Sequence, residues 1–431
     1  MKVAIAGYGL EGESNYRYWL ERGDDVTIVD EAKVPAKPIP EGATTILGER
    51  VFRTLHDFDL VVRTASLPPH FIVTDGRIWS STNEFFKRCP APIIGVTGTK
   101  GKGTTSSLIT SILRAAGHTV HLVGNIGQPP LDVLPRITPD DIVVFELSSF
   151  QLWDLERSPH VAVVLMIEPD HLDVHADFKD YIRAKSNIRR NQTANDVCFY
   201  HPSNKWSEQI AKSSVLGDRI RYNARDAGGV YAEQGMFRVQ AEDICAVSEL
   251  SLPGAHNVEN ACAAISAARV FTLDERAIAK GLRVFEGLPH RLKFVREVDG
   301  VKYYDDNYSS APGAVAAAIA AFDEPELLIC GGFDRGLSYG ELAARICEQK
   351  NIKQVFLIGQ TKHAIADELR RRTFDAFQIV DDTDMKHIVS KVVQHTAPGY
   401  VVIMSPGCAS FDMFKNFTDR GEQFVSAIGE L

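Results

Sequence analysis

The run GVTGTKGKGTT, Gly95 to Thr105, constrains this 431-residue chain more than any other stretch. It follows a short apolar segment, Ala91-Pro92-Ile93-Ile94, and precedes residues that read as a helix. A glycine-rich turn between a strand and a helix N-terminus points backbone N–H groups outward, and the helix dipole favours an anion there. Gly98 and Gly101 let the backbone close around phosphates, and Lys102 reaches the outer ones as a point charge. Thr104 or Thr105 offers a hydroxyl to Mg²⁺. The spacing departs from the common phosphate loop, because Gly103 stands where a hydroxyl residue usually follows the lysine. The plain alternative is a Gly/Thr-rich loop ahead of an ordinary helix. We read an ATP site.

A chain of this length exceeds one ordinary core, and its pattern predicts three α/β domains in series: 1–90, 91–289 and 290–431. Val3-Ala4-Ile5-Ala6, the turn Gly7 to Gly12, an amphipathic stretch to Arg22 and the strand Val26 to Val29 ending at Asp30 form a Rossmann-like opening. Taken alone, that opening suggests NAD or FAD. Cys89-Pro90-Ala91-Pro92 reads as a linker. Beyond it, Asp141 to Glu146 and Val161 to Ile167 read as buried strands, and the last third alternates again, with strands near Glu326–Cys330, Gln354–Ile358 and Tyr400–Met404. The net charge of −9, without a long basic run, argues against nucleic acid or an anionic membrane surface. No signal-peptide pattern or membrane-length apolar run is visible, and the 7 cysteines show no ligand spacing, so a cytoplasmic protein without a zinc site is expected.

Ligands of open α/β sheets gather at the carboxyl ends of strands. Glu146 ends one strand with the hard oxygen that Mg²⁺ prefers, against the plain reading of a surface acid. His171, in Pro169-Asp170-His171-Leu172-Asp173, follows another and is either structural or a magnesium or phosphate ligand. Phe178 to Ile188 reads as a helix whose apolar face holds Phe178, Tyr181, Ile182 and Ile188 together with Lys185. A desolvated lysine is partly uncharged and reacts with carbon dioxide to give a carbamate, an anion able to ligate Mg²⁺; the alternative is a snorkelling lysine. Asn257 and Asn260, expected in the turn before a helix from Ala261 to Ala268, read adenine or cap that helix. Arg291 suits a transferring phosphoryl group and Asp306 a ribose. Cys408 has no local base and reads as packing or pocket lining.

The order and spacing of these motifs resemble the ATP-dependent Mur ligases of peptidoglycan synthesis along the whole chain, and the ending SPGCASFDMFKNFTDRGEQF resembles the glutamate-adding members. The resemblance implies a UDP-binding first domain, a central ATPase domain and a C-terminal glutamate-binding domain. It implies an amide-forming ligase acting through an acyl phosphate on UDP-N-acetylmuramoyl-L-alanine and glutamate, with ATP, Mg²⁺ and a carbamylated Lys185, working as a monomer. It assigns ATP to Gly98, Thr99, Lys100, Gly101, Lys102, Gly103, Thr104, Asn257, Asn260, Arg291 and Asp306. Metal falls to Thr104, Glu146, His171 and Lys185. The UDP substrate falls to Gly9, Leu10, Glu11, Gly12, Asp30, Asn125 and His171, and glutamate to Ser309, Ser310, Arg335, Ser410, Phe411 and Phe417. Where the family usually has Ser-Lys-Ala-Thr-Asn after the aspartate, this chain has Asn307-Tyr308-Ser309-Ser310-Ala311, and Arg335 is the cation left to grip a carboxylate. D-Glutamate is expected and L-glutamate is the alternative. A nicotinamide oxidoreductase leaves the phosphate loop unexplained, and a non-catalytic nucleotide-binding protein has no need of Lys185.

Overall fold

The computed structural model describes residues 1–225 and 227–431. They form two compact units, Met1–Glu249 with Glu259–Leu282, and Leu250–Val258 with Arg283–Leu431. The expected α/β architecture holds in both.

The first unit opens with β1 (Lys2–Ala6), α1 (Leu10–Glu21), β2 (Asp25–Asp30), β3 (Thr44–Leu47), β4 (Leu60–Arg63) and β5 (Arg77–Ser80). These strands form a parallel sheet in the order β3-β2-β1-β4-β5. Val3 and Ile5 enter a core with Trp19 and Trp79, while Ala4 and Ala6 enter another with Phe52 and Leu55. Burial on both faces is why the strand is apolar at successive positions. The chain leaves β1 between β2 and β4, where strand order reverses. Gly7 sits at φ +92, and a Cβ on Gly12 would lie 2.1 Å from the Gly7 carbonyl oxygen, so the turn and the packing of α1 both need glycine.

After α2 (Ser81–Arg88), a second parallel sheet is built from β6 (Ile93–Thr97), β7 (Val120–Gly124), β8 (Ile142–Glu146), β9 (Val161–Val164), β10 (Val197–Tyr200) and β11 (Asp218–Arg221). Its order is β11-β10-β9-β6-β8-β7. The helices with it are α3 (Lys102–Ala115), α4 (Pro130–Val133), α5 (Ser149–Leu152), α6 (Phe178–Arg190) and α7 (Lys205–Ala211). Because β6 lies between β9 and β8, their carboxyl ends share one crevice. β9 stops at Val164, short of the apolar run to Ile167. Past that point the backbone turns to receive the phosphate loop, the Met166 carbonyl accepting from the Thr99 N–H at 2.9 Å.

The sequence reading misses a small antiparallel sheet of β12 (Tyr231–Glu233), β13 (Met236–Val239) and β14 (Glu242–Ala246). Its turns are Gln234-Gly235 and Gln240-Ala241, all at positive φ. Such two-residue turns usually announce themselves as Asn-Gly or Asp-Gly, and these do not. α8 (Ala255–Ala268) corrects a second expectation: Asn257 and Asn260 lie inside the helix, not in a turn before it. α9 (Glu275–Val284) follows.

The second unit contains β15 (Lys293–Val298), β16 (Val301–Asp305), α10 (Pro312–Ile319), β17 (Glu326–Gly331), α11 (Gly340–Glu348) and β18 (Ile352–Ile358). It continues through α12 (Lys362–Arg371), β19 (Phe377–Ile379), α13 (Met385–Val393), β20 (Val401–Met404) and α14 (Phe417–Gly429). The sheet runs β15-β16-β20-β17-β18-β19, parallel except for β15. The ends of β16, β20 and β17 are neighbours, which gathers Asp306, Ser405 and Gly331 along one edge.

Candidate active site

Gly101 caps α3 at φ +83, a left-handed conformation that favours glycine, and a Cβ there would come within 2.4 Å of Asn260 Oδ1. Asn260 Oδ1 also accepts from the Thr105 hydroxyl at 3.4 Å, so α8 braces the phosphate loop from one side. Thr99 braces the other. Its hydroxyl donates to the Glu168 carbonyl at 3.1 Å, accepts from the Glu168 N–H at 2.9 Å and lies 3.0 Å from the Tyr181 hydroxyl. Lys102 Nζ folds over the loop, donating to the Gly98 and Thr99 carbonyls at 3.1 and 3.0 Å. Gly103 and Thr104 are buried in the first turn of α3, and exposed Lys100 pairs with Glu168 at 3.5 Å.

Lys185 is 1% exposed. The apolar face of α6 carries it inward, and Asp177, whose side chain accepts from the Asp180 N–H, fixes the start of that helix. Nζ donates to Thr97 Oγ1 at 3.1 Å and to the Gly98 carbonyl at 3.0 Å, and lies 4.8 Å from the centre of the Tyr181 ring. Burial, and then the charge of Lys102, push its pKa well below that of an ordinary lysine. Snorkelling is therefore ruled out as a description of this side chain. A buried amine whose charged form is disfavoured stands beside the phosphate loop.

Glu146, buried at the end of β8, accepts from Asn125 Nδ2 at 3.0 Å through Oε1, while buried Oε2 has no hydrogen-bond partner. An unpartnered carboxylate oxygen is costly in a low-dielectric site, and a hard divalent cation relieves that cost, so this edge fits Mg²⁺. His171 is half-exposed at φ +54, its ring 4.9 Å from that of Phe150 and Nε2 3.5 Å from Asp170. Sequence reasoning missed a neighbour: buried His175 joins Asp180 at 2.9 Å to Ser149 at 3.0 Å, and burial lowers its pKa. That chain ties α5, which follows Glu146, to α6, which carries Lys185. A cavity of about 430 Å³ lies along the other face of α6, between Pro69, His70, Trp153, Asp180, Arg183 and Asn187.

At the first sheet, Gly9 is the N-cap of α1 and Leu10 is exposed. Asp30 accepts from the Tyr8 and Ala32 N–H groups at 2.7 and 2.8 Å, and Glu11 accepts from the Ala65 N–H at 2.7 Å. Asp30 thus fixes the turn that follows it, and Glu11 ties α1 to the segment after β4.

In the second unit, Asp306 is 3% exposed, accepting from the Leu292 N–H at 3.0 Å and from Ser405 Oγ at 2.6 Å; burial pushes its pKa up to about 6. Each of its oxygens thus accepts a hydrogen bond within the protein, which follows from its place between adjacent strand ends. Asn257 donates to the Pro253 carbonyl at 2.7 Å. The Arg291 guanidinium lies 4.4 Å from the centre of the Tyr308 ring, and Tyr308 meets Phe417 edge-on at 5.5 Å. Arg335 lies 5.9 Å from the ring of exposed Phe411. Ser309 and Ser410 are buried, and Ser310 is half-buried. Fully buried Arg420 also escaped the sequence reading. It donates to Asn307 Oδ1 at 2.7 Å and to the Cys408 and Ala409 carbonyls at 3.2 Å each, lacing together the loops that carry Tyr308 and Ser410. A charge on the face shared by Phe424 and Ile428 was the available signal, as it was for Lys185. Cys408 is buried against Thr361 and Tyr339, consistent with packing.

Residues 96–268 match the Mur ligase middle domain, and residues 290–408 match the glutamate ligase domain of Mur ligases. The chain is 36% identical over 454 residues to a UDP-N-acetylmuramoylalanine–D-glutamate ligase of Clostridium tetani, covering 100% of this chain and 97% of that protein. A ligase of the same name from Clostridium kluyveri is 34% identical over 451 residues, with 100% and 97% covered. Among solved structures, a UDP-N-acetylmuramate-alanine ligase of Thermotoga maritima matches with a TM-score of 0.64 at 17% identity, over 100% of this chain and 99% of that one. A MurF ligase of the same organism, in complex with ADP, matches with 0.62 at 17% identity, over 99% and 94%. The two structural matches bear on the fold.

Proposed function

This chain belongs to the Mur ligase family, and on that premise we propose that it joins D-glutamate to the alanyl carboxylate of UDP-N-acetylmuramoyl-L-alanine at the expense of ATP. The names of the clostridial relatives support the substrate pair. The observation that carries the reading is the meeting, at one sheet edge, of a phosphate loop, a carboxylate oxygen without a partner and a buried lysine whose charged form is disfavoured. The reading includes three domains (1–90, 91–289 and 290–431) and action as a monomer in the cytoplasm. No helix among the described residues is long and apolar enough to cross a membrane.

An alanyl carboxylate oxygen attacks the γ-phosphorus of ATP, the bond to ADP breaks, and an acyl phosphate forms. Glutamate's amine, having lost a proton, adds its lone pair to the acyl carbon. The tetrahedral adduct then expels phosphate and leaves the amide. The chain's part is positioning and charge neutralisation in a site that excludes water. Lys102 exchanges the Gly98 and Thr99 carbonyls for phosphate oxygens, the loop N–H groups hold the chain of phosphates, and Arg291 supplies a second cation. Thr104 and Glu146 would hold one Mg²⁺ and His171 with carbamylated Lys185 another; bound there, the ions neutralise phosphoryl oxygens. Carbamylation needs only the amine present: its lone pair bonds the carbon of CO₂ and a proton leaves. Arg335, Ser410, Phe411, Phe417, Ser309 and Ser310 form the amino-acid pocket, while Gly9 to Gly12, Asp30 and Asn125 attend the UDP substrate.

Phosphate release in the presence of ATP, Mg²⁺, UDP-N-acetylmuramoyl-L-alanine and D-glutamate tests the reading. Release with the UDP substrate but no dependence on glutamate would overturn it. Preference for L-glutamate would support the second reading, which the tyrosine at position 308 favours by removing a cation from the pocket loop.

A further inference from the structure

Tyr308 has a pinned backbone and a half-exposed ring. Its N–H donates to the His290 carbonyl at 2.7 Å, the preceding Asn307 is held by Arg420 at 2.7 Å and by Asp305 at 2.8 Å, and the following Ser309 carbonyl accepts from Gly407 at 2.9 Å. Burial of Arg420, Asn307 and Asp305 makes that support rigid. The ring nevertheless remains 50% exposed. One face lies against the Arg291 guanidinium at 4.4 Å, and the ring forms a T-shaped pair with Phe417 at 5.5 Å with the planes at 87°. His290, next to Arg291, is itself fixed by a 2.7 Å bond from Nδ1 to Asp305 and touches Phe417 edge-on at 6.1 Å. A rigid loop thus presents an aromatic ring that joins an arginine suited to phosphoryl oxygens to an apolar wall of the amino-acid pocket.

We propose that Tyr308 is a positioning residue that stations the Arg291 guanidinium beside Phe417, so that the incoming amino acid and the phosphoryl group are served by one stacked unit. This rests on the ligase reading. The physical basis is the ring itself: its negative face attracts the planar cation, and a T-shaped pair with Phe417 sets a positive ring edge against a negative face. A lysine at the same position offers neither surface and repels Arg291. The phenol hydroxyl is not needed for either contact.

The test compares Tyr308→Phe, Tyr308→Leu and Tyr308→Lys in the full-length protein. Tyr308→Phe is expected to keep wild-type kinetics. Tyr308→Leu is expected to raise KM for both glutamate and ATP about three- to fivefold with an unchanged unfolding midpoint, the scale of one exposed cation–π contact. Tyr308→Lys is expected to exceed Tyr308→Leu, because it adds repulsion. Arg291 side-chain N–H resonances, shifted upfield by the ring in wild type and in Tyr308→Phe, are expected to move downfield in Tyr308→Leu. If Tyr308→Phe and Tyr308→Leu behave alike, or the Arg291 resonances are the same in all forms, the proposal fails. A wild-type protein that does not turn over glutamate would overturn the ligase reading instead, and the resonances would still decide the stack.

Discussion

The crevice around Lys185 and the loops around Tyr308 solve opposite problems. The first is buried: Lys185, Thr97, Thr105 and Glu146 are each at most 2% exposed, and the lysine is held by strand and loop oxygens. The second keeps its aromatic and cationic groups outward, with Tyr308 50%, Phe411 60% and Phe417 39% exposed over buried Asn307, Ser410 and Arg420. Charge neutralisation gains from a low dielectric, which the burial of the first region provides. The second region sets exposed groups on a fixed, buried base, the arrangement the proposed recognition of a small dicarboxylate requires.

The strongest way to break this comparison is to remove the buried amine. Lys185→Ala is expected to lower kcat by about three orders of magnitude, the scale of losing a preorganised charge from a dry site. Partial recovery with added short-chain carboxylates would identify the carbamate, and near-normal turnover would remove Lys185 from the mechanism. Glu146→Gln is expected to cost about a hundredfold in kcat and to raise the Mg²⁺ concentration for half-activation, as loss of a metal-binding carboxylate does. A magnesium titration identical to wild type would assign the unpartnered oxygen elsewhere.

On the open side, Arg335→Ala is expected to raise KM for glutamate about tenfold, the value of one charge-assisted contact, and to leave KM for ATP unchanged. Equal effects on both substrates would mean that Arg335 serves the fold. The smallest effect on turnover is expected at Glu326, which is buried without a partner on either oxygen at the amino end of β17. Burial pushes its pKa up to about 9 from the usual 4.5. The folded state holds a proton that the unfolded chain releases, so wild-type stability is greatest below the unfolded value and falls as pH rises toward about 9. Glu326→Leu is expected to remove that slope and to gain about 1–3 kcal/mol at pH 8 by urea denaturation, with unchanged kcat. A steeper slope in the variant would contradict it. Burial alone, then, does not mark a site: Lys185 lies at a carboxyl edge beside a phosphate loop, and Glu326 does not.

What the sequence by itself determined is local. Buried apolar runs, glycines at Gly7, Gly12, Gly98 and Gly101, and a lysine on the apolar face of a helix were all legible, because tight turns and helical period are set by neighbours in sequence. Family membership followed from their order. The small β12–β14 sheet was hidden by hairpins lacking the usual turn residues, and the register of α8 by small residues that lack a clear period. Tertiary structure alone decided which carboxylates are spoken for. Asp30 and Asp306 accept hydrogen bonds within the chain, whereas Glu146 keeps one oxygen without a partner. It also decided the partners of Arg420, Tyr308 and His175, which come from distant segments. Hydrogen bonds and ring contacts between such segments have no period to read, because the sheets, not the sequence spacing, bring them together.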